Sequence, residues 1–317
     1  MSADLMRGMS VSHIRFVVQA LDGIVLEGQP GSALRGAFYT ALSENFCTEP
    51  GQTHYPEHAD YCPVCWLMAR EAPEAERGAD LPRPLVIEPP HAGQYRRGDT
   101  FTFGIGLIGR AQDLFPFVAR AVQKMGALGI GVGRGRFKLV SIAEYSPLLD
   151  AQRTILSTNR VSAPTLQVTP ARIQDAVQPR DFVLLDFLSP TRLTAGSKLV
   201  KTPEPRVFIQ RLIERCQRLA TYYAETECPP TSEEWRVLSD ALCQQAEGWR
   251  IGYDSTRWVE TFSGSRRHGR LTPISGFVGL VRWDGDLQAA YPWLLWGQSL
   301  HVGKDAVKGN GWYRIVR

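Results

Sequence analysis

The sequence predicts an α+β protein in which one β-α-β-β-α-β unit is followed by a second unit of the same kind. Two glycine-rich, basic loops support this duplication, because residues 126–140 (GALGIGVGRGRFKLV) and 301–317 (HVGKDAVKGNGWYRIVR) each lead into a short alternating strand. The predicted order of strands and helices also restarts near residue 181. A chain of 317 residues is long enough for two domains of about 150 residues each.

The first half contains all six elements of one unit. The helix predicted at 32–46 begins at Ser32, a residue type that caps helices well, and places Leu34, Phe38 and Leu42 on one face. A loop at 47–66 carries three cysteines. The predicted strands are 11–21, 84–88, 99–108 and 137–140, and the second predicted helix runs from 112 to 126. This order is that of a ferredoxin-like domain, which we place at residues 1–145.

The second half repeats the series after a break. Residues 146–180 contain four prolines and no sustained periodicity, and we interpret them as a linker that has room for one strand. The predicted strands beyond it are 181–188, 250–262, 269–283 and 311–317, and the predicted helices are 204–224, 233–247 and 286–300. A second ferredoxin-like domain is therefore expected at residues 181–317.

Composition and charge indicate an ordinary globular protein with an anionic partner. Hydrophobic residues make up 44% of the chain, and the formal net charge is +4. The basic residues cluster beside glycines and aromatic residues, as at 96–97, 134–136 and 266–270, which is typical of a surface that binds a polyanion. Because no apolar run approaches the roughly 20 residues of a membrane span, we expect a cytoplasmic protein without a membrane partner.

Four motifs resemble the CRISPR repeat-processing endoribonucleases of the RAMP superfamily, the Cas-six family. They are Gly31-Ser32-Ala33-Leu34-Arg35-Gly36-Ala37-Phe38 in the first helix, Leu188-Ser189-Pro190-Thr191-Arg192-Leu193 after a strand, Gly276-Phe277-Val278-Gly279 with Asp284-Gly285-Asp286, and Leu300-His301-Val302-Gly303-Lys304. Their order and spacing carry the resemblance over most of the chain. It implies tandem ferredoxin-like (RRM-like, RAMP) domains with glycine-rich loops.

The resemblance also implies an activity. Family members cleave the repeat stem-loops of CRISPR precursor RNA without a metal ion: the 2′-hydroxyl attacks the adjacent phosphate and leaves 2′,3′-cyclic phosphate and 5′-hydroxyl ends. The implied partners are repeat RNA or crRNA and other CRISPR effector subunits. The alternative is a non-catalytic RAMP subunit that holds crRNA in an effector complex. Two complete halves and a terminal loop with a histidine favour the nuclease.

Two groups of residues compete for the catalytic role. His301 and Lys304 stand at the mouth of the second glycine-rich loop, where both side chains are expected to reach a phosphate. His301 also suits a second role, as a cap of the preceding helix. Tyr39 and His54 form the rival pair, since the resemblance implies a catalytic histidine just after the first helix and a tyrosine on that helix.

The grouped cysteines suggest a metal site. Cys47, Cys62 and Cys65 include a C-x-x-C pair, which suits tetrahedral zinc, and His58 or His54 would supply the fourth ligand. The resemblance implies that such a zinc is structural and that catalysis itself needs no cofactor. Three reduced thiols packed in a loop are the alternative.

The remaining candidates are expected to bind RNA. Basic side chains beside glycines can hold phosphates closely and, for arginine, in a bidentate manner. The set comprises Arg35, Arg134, Arg136, Arg266, Arg267, His268, Gly303, Lys308, Gly309 and Gly311.

Overall fold

The computed structural model describes residues 3–50, 56–70, 81–157, 160–178, 180–265 and 270–316. The elements of the first part are β1 (Val11–Ala20), β2 (Ile24–Leu26), α1 (Pro30–Phe46), α2 (Pro56–Tyr61), α3 (Pro63–Met68), β3 (Leu85–Glu88), β4 (Gly93–Tyr95), β5 (Thr100–Ile108), α4 (Phe115–Leu128) and β6 (Phe137–Ser146). Next come β7 (Ala151–Thr154), β8 (Leu156–Ser157), β9 (Arg160–Val161) and α5 (Pro170–Ala176). None of the helices in these ranges is long and apolar enough to cross a membrane.

The second part begins with β10 (Phe182–Thr191), β11 (Leu193–Ala195), β12 (Lys198–Val200), α6 (Pro205–Tyr223), α7 (Ser232–Glu247), β13 (Arg250–Asp254) and β14 (Arg257–Val259). It continues with β15 (Phe262–Ser265), β16 (Arg270–Pro273), β17 (Gly276–Asp284), α8 (Tyr291–Leu300) and β18 (Tyr313–Val316).

Each half is built on an antiparallel sheet of ferredoxin-like order. The first sheet runs β3-β5-β1-β6-β7, and the second runs β13-β17-β10-β18 with β14 also paired to β17. In both, the first long strand lies between the third and the last of the four strands that make up the β-α-β-β-α-β series. The predicted fold class, tandem ferredoxin-like domains, is therefore confirmed.

Side chains alternate along β1 and point to the two opposite faces of the first sheet, and both faces are buried at this strand. Ile14, Phe16 and Val18 point into a core formed with α1 and α4, whereas Val11 belongs to the core of the second half. That second core reaches the first sheet because α8 contacts β1, β3 and β5. The helices of the second half thus cover part of the back of the first sheet.

The boundaries differ from the prediction at several elements. Helix α1 begins at Pro30, and its N-cap is Gln29 rather than Ser32, since the Gln29 side chain accepts a hydrogen bond from the backbone N–H of Gly31. Residues 146–180, predicted as a linker, contain β7, which extends the first sheet, and α5. The cysteine-bearing segment forms α2 and α3.

Candidate functional site

The terminal glycine loop (residues 301–311) connects α8 to β18 and needs glycine at two positions. Gly303 has φ 84° and Gly311 has φ 72°, which other residues rarely adopt. A Cβ at Gly311 would overlap the carbonyl oxygen of Val302, and one at Gly303 would overlap that of Arg192. The backbone N–H of Val302 donates to the Gly311 carbonyl at 3.0 Å and closes the loop.

This loop docks on the first turn of α1. A Cβ at Gly31 would overlap the carbonyl oxygen of Lys308, so the two backbones are in direct contact. The Gln29 side-chain amide donates to Oδ1 of Asn310 at 2.8 Å, and the Asn310 amide donates to the carbonyl of Ile274 at 2.7 Å. The N-terminus of the first helix and the last loop of the second half therefore form one joint.

His301 lies inside this joint and not at its surface. The side chain is fully buried, Nδ1 is 3.2 Å from the carbonyl oxygen of Asn310, and the ring stacks on Trp312 with centroids 6.3 Å apart. Nε2 has no hydrogen-bond partner within the described residues. Burial lowers the pKa of His301 to about 3, so the ring is neutral. The expectation that His301 and Lys304 both reach a phosphate is not met in this conformation, since only Lys304 is exposed.

The two lysines and the remaining glycines of the loop differ in their exposure. Lys304 is exposed, whereas Lys308 is half-buried with Nζ 2.8 Å from Oδ1 of Asp305. Gly309 and Gly311 are buried. We therefore attribute the geometry of the loop to its glycines and an available positive charge to Lys304.

Helix α1 presents Arg35 and Tyr39 one turn apart. The Arg35 guanidinium lies 5.3 Å from the centre of the Tyr39 ring, and both side chains are half-buried. Burial, followed by the charge of Arg83, lowers the pKa of Arg35. Its Nε finds no hydrogen-bond partner in the described part of the chain. A positive group thus lies on the helix whose first turn contacts the terminal glycine loop.

A buried polar group that the sequence did not reveal lies under the same joint. His13 Nδ1 is 2.8 Å from Oε1 of Glu88, and Tyr145 also hydrogen-bonds this carboxylate. Burial alone would raise the pKa of Glu88, but the hydrogen bond and charge of His13 outweigh it and lower the pKa. Glu88 also interacts electrostatically with His301. The available sequence signals were a histidine within a buried strand and a glutamate ending an apolar one.

The cysteine-bearing segment brings four side-chain ligands together. One side-chain ligand atom from each of Cys47, His58, Cys62 and Cys65 lies within 4.8 Å of those of the others. Cys47 Sγ is 3.2 Å from Nε2 of His58 and 3.8 Å from Sγ of Cys65. Burial raises the pKa of the Cys47 and Cys65 thiols. Of the two histidines proposed from the sequence, His58 joins the cysteines, and His54 lies outside the described residues.

The first glycine-rich loop carries one unpaired and one paired arginine among its described residues. Arg134 is exposed and adopts φ 54°. Arg136 is also exposed, but Nε is 2.6 Å from Oδ2 of Asp22 and Nη2 donates to the other oxygen at 3.2 Å. Arg134 is therefore the more available for a phosphate. Three further predicted contacts, Arg266, Arg267 and His268, lie outside the described residues.

Two family models match the chain, one over each half. A family model described as CRISPR-associated endoribonuclease Cas6 matches residues 185–313, and the family AF_1859_N, described as an N-terminal domain, matches residues 9–168. No curated protein matches the chain.

Among solved structures, a Cas6 product complex aligns with a TM-score of 0.59 and 14% identity over 98% of this chain and 100% of that chain. Thermus thermophilus Cas6 aligns with a TM-score of 0.56 and 14% identity over 97% of this chain and 99% of that chain. A Cas6-RT-Cas1–Cas2 complex aligns with a TM-score of 0.60 and 15% identity over 98% of this chain and 29% of that chain. These similarities show the same fold.

The Cas6 family model matches the half of the chain that carries the second ferredoxin-like sheet and the glycine-rich loop before the last strand. The chain belongs to the AF_1859_N family by its first half, and its second half, residues 185–313, is similar to the CRISPR-associated endoribonuclease Cas6 family.

Proposed function

We propose that the protein binds the repeats of CRISPR precursor RNA and cleaves them without a metal ion. The ribose 2′-hydroxyl attacks the neighbouring phosphorus, and the bond to the leaving 5′-oxygen breaks. The products end in a 2′,3′-cyclic phosphate and a 5′-hydroxyl. This chemistry needs a base, an acid and positive charge near the phosphate, all of which side chains can supply. The match of residues 185–313 to the Cas6 family model and a likeness to a Cas6 product complex support the proposal.

The docking of the terminal glycine loop on α1 is the observation that carries this proposal. The contact between Gly31 and Lys308 joins the loop that presents Lys304 to the helix that presents Arg35 and Tyr39. Arg35 and Lys304 supply positive charge on the two sides of this contact, and basic side chains bind phosphates well. The joint is thus suited to hold a phosphate between the two halves.

We assign proton transfer to Tyr39 and His54 rather than to His301. A general base must approach its proton within hydrogen-bonding distance, and His301 is fully buried. Its pKa of about 3 also makes it a weak base near neutral pH. The assignment of His54 follows from its position in the sequence, after the helix that carries Tyr39.

Other CRISPR proteins are proposed partners in addition to the RNA. One structure with this fold is a Cas6-RT-Cas1–Cas2 complex, in which the matched region is 29% of a longer chain. Among the residues that the structure describes, we propose that the exposed Arg134 and Lys304 contact the RNA.

Single-turnover cleavage of the repeat RNA from the same CRISPR locus tests the activity. We expect cleavage in excess EDTA, and no cleavage of an RNA with a 2′-deoxy substitution at the cut site, because the nucleophile is then absent. If the wild-type protein binds the repeat tightly and leaves it intact, the nuclease proposal fails. The protein would then hold crRNA without cutting it.

Three variants separate the candidate histidines. We expect His54→Ala to lower the cleavage rate by about 10²-fold or more, with RNA affinity little changed. His301→Gln should stay within about tenfold of the wild type, as expected for a residue that does not transfer the proton. His91→Ala is the matched control, since His91 is exposed in a loop. A large loss for His301→Gln in a folded protein, with none for His54→Ala, would overturn the assignment.

A further inference from the structure

We infer that Cys47, His58, Cys62 and Cys65 bind a structural zinc ion. Their four ligand atoms lie within 4.8 Å of one another. Around a tetrahedral zinc with Zn–S bonds of about 2.3 Å, two sulfurs stand about 3.8 Å apart. The Sγ atoms of Cys47 and Cys65 are 3.8 Å apart, and Nε2 of His58 is 3.2 Å from Cys47 Sγ. The side chains are therefore already spaced as a tetrahedral site requires.

Three successive helices deliver these ligands. Cys47 is the residue that ends α1, where its backbone N–H donates to the carbonyl of Ser43. His58 lies on α2, and the backbone N–H of Cys62 donates to its carbonyl at 2.9 Å. Cys62 is the N-cap of α3, and Cys65 lies in the first turn of that helix. The ligands are thus held by backbone geometry rather than by flexible loops.

The other ring nitrogen of His58 is held by neighbouring groups. Nδ1 is 3.1 Å from the Tyr61 hydroxyl and 3.8 Å from Oε2 of Glu49, and the Tyr61 hydroxyl is 3.3 Å from Oε1 of Glu49. A carboxylate near Nδ1 favours the tautomer with its proton there. Nε2 is then left with a lone pair directed at the thiols, as metal-ligating histidines commonly are.

The ligand set indicates both the metal and its role. Three thiolates and one imidazole suit zinc and disfavour magnesium or calcium, which prefer oxygen. His58, Cys62 and Cys65 are nearly fully buried. Four protein ligands also leave no open position for water or substrate. The ion would therefore stabilise the fold around α1, α2 and α3, and the inference does not depend on the proposed cleavage reaction.

Metal content of the purified full chain tests this inference. We expect about one zinc per chain by mass spectrometry after gel filtration, and strong depletion in Cys62→Ser and His58→Gln. Cys228→Ser is the matched control, because Cys228 is an exposed free cysteine far from the cluster in sequence, and it should retain the zinc. Wild-type protein that is produced with zinc and yet holds less than about a tenth of an equivalent would overturn the inference.

Cobalt substitution keeps the test valid if those variants fail to fold. The wild-type protein loaded with Co²⁺ should show thiolate-to-cobalt charge-transfer absorption and the intense visible bands of tetrahedral coordination. His58→Cys, which preserves four ligands, should keep the metal and change the spectrum. A cobalt spectrum without thiolate bands, or one identical in His58→Cys, would contradict the assigned ligands.

Discussion

His301 is neutral in the folded protein because burial lowers its pKa to about 3, against a usual value of 6.5. An unfolded chain exposes the same ring to water, where it binds a proton below about pH 6.5. Between these two values the unfolded state holds more protons than the folded state. The free energy of unfolding contributed by this residue is thus complete above pH 6.5 and decreases as the pH falls.

We expect the free energy of unfolding to fall by as much as about 1.4 kcal/mol per pH unit below pH 6.5 because of His301. Urea denaturation at pH 7.5 and pH 5.5 measures this. His301→Gln cannot be protonated in this range, so the difference between the two pH values should shrink. An unchanged difference in this variant would show that other groups carry the acid sensitivity.

The sequence singled out several residues that lie around the joint but did not reveal their burial. The glycine spacing in 301–311 predicted the loop, and the helix motif singled out Arg35 and Tyr39. The burial of His301 depends on Trp312 and on Asn310, which is held by a residue 281 positions away in the chain. A local sequence pattern carries no information about a contact between residues so far apart in the chain.

Among the secondary-structure elements, those with strong periodicity were predicted well. Strand β1 and helices α6 and α7 begin and end within about two residues of the prediction, because their apolar residues recur at regular spacing. The short strand β7 could not be located within the predicted linker, because its pairing with β6 stabilises it and its own sequence does not. The start of α1 was set by Pro30 and the Gln29 cap, which a search for serine or threonine caps overlooks.

Two glycines of α1 give a matched pair of substitutions. We expect Gly31→Ala to lower the free energy of unfolding by roughly 1–3 kcal/mol, because the added methyl meets the backbone of the terminal glycine loop. Gly36→Ala should raise it by about 0.5–1 kcal/mol, because nothing lies near that position and alanine favours helix. Urea denaturation of both variants checks this. Equal effects would mean that the loop does not dock tightly on α1.

Across the whole molecule, the two halves share buried surface. Val11, Val86 and Ile108 of the first half belong to the core that includes Leu212 and Trp283 of the second. Separating the halves would expose these residues, at a cost of about 25 cal/mol for each Å² of apolar surface. The repeated sequence pattern predicted two similar units and contained no sign of this shared core.

We therefore expect the protein to unfold in one cooperative transition. Differential scanning calorimetry should give a calorimetric enthalpy close to the van't Hoff enthalpy. Two resolved transitions, or an excess of the calorimetric over the van't Hoff enthalpy, would show that the halves unfold independently. The scan should be run at low protein concentration, so that aggregation does not distort the high-temperature part of the curve.

The position of the terminal glycine loop has a consequence for biosynthesis. Asn310 and Lys308 meet the first turn of α1 across nearly the whole length of the chain. A ribosome that has translated only the first half has therefore produced a sheet whose apolar back lacks its cover, since α8 is not yet made. The nascent chain carries exposed hydrophobic surface throughout the synthesis of the second half, and the joint between the terminal glycine loop and α1 is the last part of the protein to form.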